Sequence, residues 1–317
     1  MISFIVIGKN ISNTINRCID SIIKTVLKNN INYYEIIYID SNSSDDSIKK
    51  AILYENIKIY KIIKNPNAAI ARNLGFDKSN GNVLFFIDGD MEIIPETLKE
   101  LYSPENGLKY PFISGDWIDF KYSKNEIIKK EKYYDLNSDE YQYTTGGLFL
   151  INRNLWIKIG GMRSIFRRSQ DLDLGLRLSA IGFPLLRIKT PLSIHHTVDY
   201  NNNKRYLKDL FSGNFLYQGL LYKNNLFNKK IYKEYICKEI SFFILIVISV
   251  YYLFSFNLHL FMFYFLSLIF KLIYKKITLK NSSEFFIKFI IHDLNLLLSI
   301  SFFWPMSASK IYFEKIK

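Results

Sequence analysis

Four short apolar runs alternate with stretches of helical period in the first ninety residues. The runs are SFIVIG (3–8), YEIIYID (34–40), IKIYKII (57–63) and NVLFFID (82–88). Between the first two, Asn13 to Leu27 sets Ile15, Cys18, Ile19, Ile22, Ile23 and Val26 on one stripe, the spacing of a helix with one buried side. Runs that are apolar on both parities suit strands covered on both faces. Strands joined by helices imply right-handed βαβ units and an α/β fold with a mostly parallel sheet flanked by helices. In such sheets ligands bind beyond the carboxyl ends of the strands, where Asp40 and Asp88 fall.

The fourth run ends in FFIDGD (85–90), which sets Asp88 and Asp90 one residue apart across Gly89. Asp and Gly form turns readily, so one reading of the pair is a simple strand end. The other is chemical: two carboxylates on a short turn can hold a divalent cation and, through it, phosphate oxygens. GKNISN after the first run contains a single glycine, so it is neither a dinucleotide fingerprint nor a P-loop.

Past Met91 the pattern loosens into a Tyr- and Lys-rich region, roughly 100–145. TTGGLFLINRNLWIKIGGM (144–162) then reads as a loop, a strand, a short helix and a second glycine pair. RRSQDLDLGLRLSAIG (167–182) reads as a helix with Leu172, Leu176 and Ser179 near one face and Gly182 at its carboxyl-terminal stop. Asp171 and Asp173 lie in its first turn, where the helix dipole alone favours acids.

Together these segments resemble the family 2 glycosyltransferases, inverting enzymes with the GT-A fold, a Rossmann-like sheet flanked by helices. The resemblance covers about residues 1–200. FIVIGKN is similar to the opening strand, YIDSNSSDDS to the nucleotide-binding turn, NPNAAIARNLGF to the segment beside the nucleotide, FIDGD to the aspartate-x-aspartate motif, and SQDLDLGLRL to the acidic segment. The resemblance implies nucleotide contacts from Asp40, Arg72, Asn73 and Asp88. It implies a divalent metal, Mg²⁺ or Mn²⁺, on Asp90 and Asp88, with His195 or His196 as a further ligand, and Asp171 as the catalytic base. Gly146, Gly147 and Gln170 are then expected at the donor sugar and acceptor. Two positions depart from the family pattern: Asn67 replaces a usual glycine, which a left-handed turn would accommodate, and Gln170 replaces a usual glutamate. For the histidine pair, a solvated loop is the plain alternative.

The chain carries a formal charge of +13, of which +10 lies from Asn201 onward, in the third that holds the long apolar runs. Basic residues flanking apolar segments point to a cytoplasmic membrane face rather than to nucleic acid. From Ile240 to Phe270 there are 31 residues without a formal charge. With a break near Asn257 and His259, and extended to Tyr274, they suit a hairpin of two limbs near the lower limit for crossing a bilayer. The stretch 285–305 contains Lys288, His292 and Asp293 and reads as interfacial. Two unrelated cysteines, Cys18 and Cys237, imply neither a disulfide framework nor a zinc site.

The expected organisation is therefore a GT-A catalytic domain over 1–200, amphipathic connecting helices over 201–238, and a membrane hairpin plus interfacial helix over 239–317. The expected partners are a nucleotide-sugar donor, a glycan or lipid-linked acceptor of a surface polysaccharide, and the membrane. The chain would be anchored on the cytoplasmic face of the inner membrane. The rival readings are a synthase that glycosylates polyprenyl phosphate and a non-catalytic membrane scaffold that keeps a nucleotide-binding fold.

Overall fold

The structure, a computed structural model, describes all residues except 124–125, 199–202, 235–238, 276–278 and 307–309, so Cys237 lies outside the described residues. The chain divides into two compact units, Met1–Asn203 with Ser307–Lys317, and Lys204–Met306.

In the first unit, β1 (Ile2–Gly8), β2 (Tyr34–Asp40), β3 (Ile57–Ile62) and β4 (Val83–Asp88) are parallel in the order β3-β2-β1-β4. Each follows an apolar run within a residue or two of its expected limits. Helices α1 (Ile15–Lys28), α2 (Ser47–Ile52) and α3 (Ala68–Asp77) connect them. Alternate residues of β1 enter opposite cores: Ile2, Phe4 and Val6 meet the α1 stripe, while Ile5 and Ile7 meet Ala69, Ile70 and Leu74 of α3. A strand buried on both faces has no polar parity, which explains its uniform sequence.

Beyond β4 the sheet turns mixed. A short β5 (Met91–Ile93) is followed by a 3-10 turn (Pro95–Glu100) and a small ribbon, β6 (Tyr102–Ser103) with β7 (Gly107–Leu108). Next come β8 (Phe112–Ser123), β9 (Glu126–Lys132), β10 (Glu140–Gln142), β11 (Leu148–Asn152), α4 (Arg153–Ile159), α5 (Gln170–Ala180) and β12 (Leu185–Val198). β11 runs antiparallel beside β4, and β12 runs parallel to β8. The buried side of α5 is Asp173, Leu174, Gly175, Leu176, Leu178 and Ser179, which includes the expected Leu176 and Ser179, with Leu172 only half-buried. Gly175 is the point of closest approach to the preceding loop. A Cβ there would lie 1.7 Å from the Tyr143 carbonyl oxygen, so the 143–145 backbone packs directly on the helix. Gly182, at φ 90°, follows the helix as expected.

The chain end, Ser307–Lys317, is grouped with the first unit. β13 (Phe313–Lys315) pairs antiparallel with β3, and the Phe313 ring meets Tyr60 edge-on at 6.0 Å. An otherwise open edge strand is thereby covered.

The second unit is helical: α6 (Asn203–Phe211), α7 (Leu216–Asn224), α8 (Lys229–Glu234), α9 (Ile240–Ser255), α10 (Phe261–Tyr274) and α11 (Leu279–Phe302). The uncharged run breaks where expected: Phe256 takes φ 52° and the Asn257 side chain accepts from the His259 amide at 2.9 Å. The limbs have 16 and 14 residues, or about 24 and 21 Å at 1.5 Å per residue, short of a ~30 Å hydrocarbon core. Among the described residues, the helix long and apolar enough to cross is Ser282–Phe302, 21 residues in the stretch expected to be interfacial. One of its acidic residues is turned inward: Asp293 is buried and accepts from the Tyr264 hydroxyl.

Candidate active site

β1 ends at Gly8, in register with Asp40 of β2, while Ile7 is in register with Asp88 of β4. The two acids therefore stand on either side of one strand end. A cleft of about 320 Å³ opens there, lined by Gly8, Lys9, Ser41, Asn67, Asp88 and Asp90 among others. Gly89 is fixed by its surroundings, since its amide donates to the Ile7 carbonyl at 2.8 Å and a Cβ would lie 2.2 Å from Ile11 Cδ1.

Arg72, almost fully buried, donates to Asp88 Oδ1 at 2.7 Å. Burial, opposed by the Arg72 charge and assisted by Asp90, pushes the Asp88 carboxyl up to about 6. The Asp88 amide donates to the Gly147 carbonyl at 2.8 Å, and a Cβ on Gly147 would come within 2.7 Å of Asp88 Oδ2. Gly146, at φ 64°, faces the Trp117 ring, which a Cβ would approach to 2.4 Å. TTGG thus combines one left-handed residue with two close approaches.

Asp90 Oδ1 is buried and has no hydrogen-bond partner among the described residues. Its Oδ2 lies 3.7 Å from His195 Nε2, and His195 Nδ1 is 2.9 Å from Asp119 Oδ1, which also accepts from Trp117 Nε1 at 3.0 Å. Burial opposes a charge on His195, but hydrogen bonds to Asp119 and Asp90 outweigh it and raise the imidazole to about 10. An orphaned carboxylate oxygen beside a histidine backed by a second carboxylate fits a divalent cation, because the backing acid orients the ring and strengthens the ligand.

His196 points elsewhere, as neighbours on a strand must. Its Nδ1 lies 2.8 Å from the Tyr122 hydroxyl and its Nε2 3.1 Å from Glu92. Asp40 is fully buried and accepts from Tyr38 Oη at 2.8 Å and from the Ser43 amide at 2.7 Å. Asn73 clamps the Met162 backbone, donating at 2.7 Å and accepting at 3.0 Å. Asn67 is not left-handed: at φ −148° it caps α3, accepting from the Ile70 amide at 2.8 Å, and the left-handed residue is Asn65 at φ 48°.

The two acids at the start of α5 separate cleanly. Asp173 is fully buried and ion-paired with Arg163 at 3.1 Å and Arg177 at 2.9 Å, a structural hub. Asp171 is half-buried and accepts from Thr144 Oγ1 at 2.6 Å through Oδ2. Its charge also acts on Asp88, which puts both in one electrostatic neighbourhood. Ser169, at φ 62°, begins the helix, and the neighbouring Gln170 has a buried Oε1 with no partner among the described residues.

Sequence reasoning missed Asp119 and Arg187. Fully buried Arg187 donates to Gln142 Oε1 (2.6 Å), Ser114 Oγ (3.1 Å) and the carbonyls of Gly115 (2.7 Å), Thr144 (2.8 Å) and Thr145 (3.2 Å). It stacks over Tyr134 at 4.0 Å. A lone arginine inside an apolar strand was the available signal for this anchor, and Asp119 shares the parity of Trp117 in register with His195.

No curated protein sequence matches the chain significantly. Among solved structures, it resembles S. aureus TarS residues 1–349 in complex with UDP-GlcNAc, at 13% identity and TM-score 0.50, covering 74% of this chain and 73% of that one. The same protein in complex with UDP gives 13% identity and TM-score 0.51, covering 76% of this chain and 74% of that one. At such identity the likeness establishes the GT-A type of fold. The model of the family described as glycosyl transferase family 2 matches residues 3–172, more than half of the sequence, and the chain belongs to that family.

Proposed function

We propose that the protein is a membrane-attached inverting glycosyltransferase that moves a sugar from a nucleoside diphosphate donor to a hydroxyl of a lipid-linked surface glycan. The observation that carries this reading is the pairing of two differently held acids around Asp88: Asp90 in the cleft with an orphaned oxygen beside His195, and Asp171, whose charge acts on Asp88, held through a single oxygen by Thr144. Uridine diphosphate sugars are the first donors to test, since TarS is bound to UDP-GlcNAc.

Asp90, Asp88 and His195 would hold Mg²⁺ or Mn²⁺, which when bound offsets charge on the donor diphosphate. Arg72 fixes Asp88 and withholds it from any other role as a base. Gly147 keeps the floor of the cleft open to the donor sugar, and Gln170 Oε1 offers an acceptor for a sugar hydroxyl. Asp171 takes the proton from the attacking acceptor hydroxyl while that oxygen bonds to the anomeric carbon and the nucleoside diphosphate departs, so the configuration inverts. A positioned base of this kind contributes about 10²–10⁴-fold. Asp40 acts on the nucleotide through the turn it holds at Ser43, and Asn73 through α3; both position rather than touch. His196 belongs to the Tyr122–Glu92 cluster.

Large apolar side chains exposed on α9 and α10, Val247, Leu253, Phe254, Phe263, Phe270 and Ile273 among them, support attachment to the cytoplasmic membrane face, with basic residues at the headgroups. Polyprenyl phosphate as direct acceptor would need no base, and the support given to Asp171 favours a hydroxyl instead. A non-catalytic scaffold has no use for that support either. A thermal-shift screen of nucleotide sugars with and without Mn²⁺, followed by NMR of the product's anomeric configuration, tests the reading. It expects a metal-dependent shift and an inverted linkage; a retained linkage, or no transfer from any donor that binds, would overturn it.

A further inference from the structure

Three aromatic rings stand together across the sheet from Asp40. Trp117 of β8 is buried, and Tyr133 and Tyr134 follow β9 directly. Tyr133 lies nearly parallel to Trp117, with centroids 4.6 Å apart and planes 24° from each other, while Tyr134 meets both rings at steep angles, 4.8 Å from each. The backbone holds this arrangement. Asp116 Oδ1 accepts from the Trp117 amide at 2.7 Å and from the Tyr134 amide at 3.1 Å, and the Tyr133 amide donates to the Trp117 carbonyl at 2.9 Å. Side chains add to it, since the Arg187 guanidinium stacks over Tyr134 at 4.0 Å and Trp117 Nε1 donates to Asp119 at 3.0 Å. Rings fixed in this way lose little freedom when a ligand arrives.

The stack borders the candidate site at two points. The Trp117 ring packs on Gly146, where a Cβ would lie 2.4 Å from it, and meets the His195 ring edge-on with centroids 6.4 Å apart. Below Tyr134, Arg187 donates to the Thr144 carbonyl at 2.8 Å, and the Thr144 hydroxyl holds Asp171 at 2.6 Å. The inner rings are therefore built into the walls that carry the metal-side histidine and the candidate base. Tyr133 differs from them: with one face on Trp117, it is still 56% exposed. An exposed tyrosine alone is ordinary surface. This one is the outer layer of a stack whose inner layer lines the site.

The position of the stack selects its ligand. β1, β4 and β11 intervene between β2, which carries Asp40, and β8, which carries Trp117. At about 4.8 Å per strand the stack stands roughly 19 Å along the sheet from the nucleotide turn, so a base or ribose held at Asp40 does not reach it. The ligand left for the outer ring is the one that brings its hydroxyl to Asp171.

We infer that Tyr133 is the stacking platform for the acceptor, and that the acceptor sugar is a hexopyranose whose face of axial C–H groups lies on this ring while one of its hydroxyls meets Asp171. Such a sugar offers C–H groups on a face and hydroxyls at its rim, which matches a flat apolar ring beside a few fixed polar groups. An open-chain alditol has the same hydroxyls and no such face. The inference rests on the hydroxyl-acceptor reading, but its test measures binding and needs no transfer.

The full chain is examined by saturation-transfer NMR with methyl β-glucopyranoside, methyl β-galactopyranoside and the open-chain glucitol, each alone and with UDP and Mn²⁺ added. At least one pyranoside should bind, with the strongest transfer at the axial protons of one face, and glucitol should not. UDP and Mn²⁺ should leave that binding in place. Tyr133→Ala should weaken it about tenfold or more, whereas Tyr133→Phe and Tyr133→Trp, which keep the ring, should stay within about twofold of the wild type. Thermal unfolding midpoints that agree among the variants show that the fold is kept. Binding of neither pyranoside, equal binding of glucitol, displacement by UDP, an unaffected Tyr133→Ala, or a Tyr133→Phe as weak as Tyr133→Ala would each overturn the inference. Intact pyranoside binding without transfer from any donor would count against the catalytic reading alone.

Discussion

The two units treat polar groups and apolar surface in opposite ways. In the sheet unit, buried charges are held in place by named partners: Arg187 by five acceptors, Asp173 by two arginines, and Asp40 by Tyr38 and Ser43. Its central strands β1, β4 and β11 are buried along almost their whole length. In the helical unit the polar cluster of Glu239, Lys271 and His292 is gathered at one end of a hairpin, and apolar side chains as exposed as Phe254 (84%) and Phe270 (69%) have no covering element among the described residues. The lesson is that rigidity here goes with a cleft whose reacting groups must keep their geometry, and uncovered surface goes with a region that meets an apolar environment.

The sharpest break of the comparison should come from Asp171→Asn. Glycosyl transfer should fall about 10²–10⁴-fold while donor binding stays as in the wild type, measured by product formation and by calorimetry. The next effect belongs to a residue behind the site: Asp119→Asn should lower Mn²⁺-dependent activity by about 10–100-fold, because His195 loses the carboxylate that orients its ring. Removing the anchor instead of the chemistry, Arg187→Met leaves carbonyls and Gln142 unpaired and should cost at least ~3 kcal/mol of stability, read by denaturant unfolding of the sheet unit. No comparable loss is expected from Val247→Ser in the exposed α9 face, and an equal loss there would erase the contrast between the units.

The smallest effect concerns pH. Asp45 is lowered to about 2; burial works against the charge, but hydrogen bonds from Ser47 and the Ser12 amide hold it. A depressed folded-state value contributes stability above the ordinary carboxyl value near 3.9, and that contribution is lost as pH falls toward 2. Asp45→Asn should therefore flatten the acid limb of the unfolding profile between about pH 4 and 2, and leave the profile near neutrality almost unchanged in shape.

Much of the sheet was legible because burial on both faces writes itself into uniform apolar runs, and the hairpin break was legible from Asn257 and His259. What the sequence hid was set by packing at a distance. Nothing local marks that Gly175 admits the Tyr143 backbone, which brings Thr144 to Asp171. Separating His195 from His196 required knowing which parity of β12 faces Asp119. The roles of Asn67 and Asn73 also lay outside local pattern, since helix capping and a backbone clamp at Met162 use the same side-chain amide that a ligand would. The sequence also did not show which of the polar residues of α11 turns inward: Asp293 is buried and accepts from the Tyr264 hydroxyl.

The account stands most directly on the role of the FIDGD turn. Titrating a nucleotide sugar that the wild-type protein binds, by calorimetry in Mn²⁺ and then in chelator, compares that protein with Asp90→Ala. The account predicts that wild-type affinity falls on chelation to the level of Asp90→Ala, and that Asp90→Ala shows no dependence on Mn²⁺. Equal donor affinity of the two proteins in Mn²⁺ would contradict it.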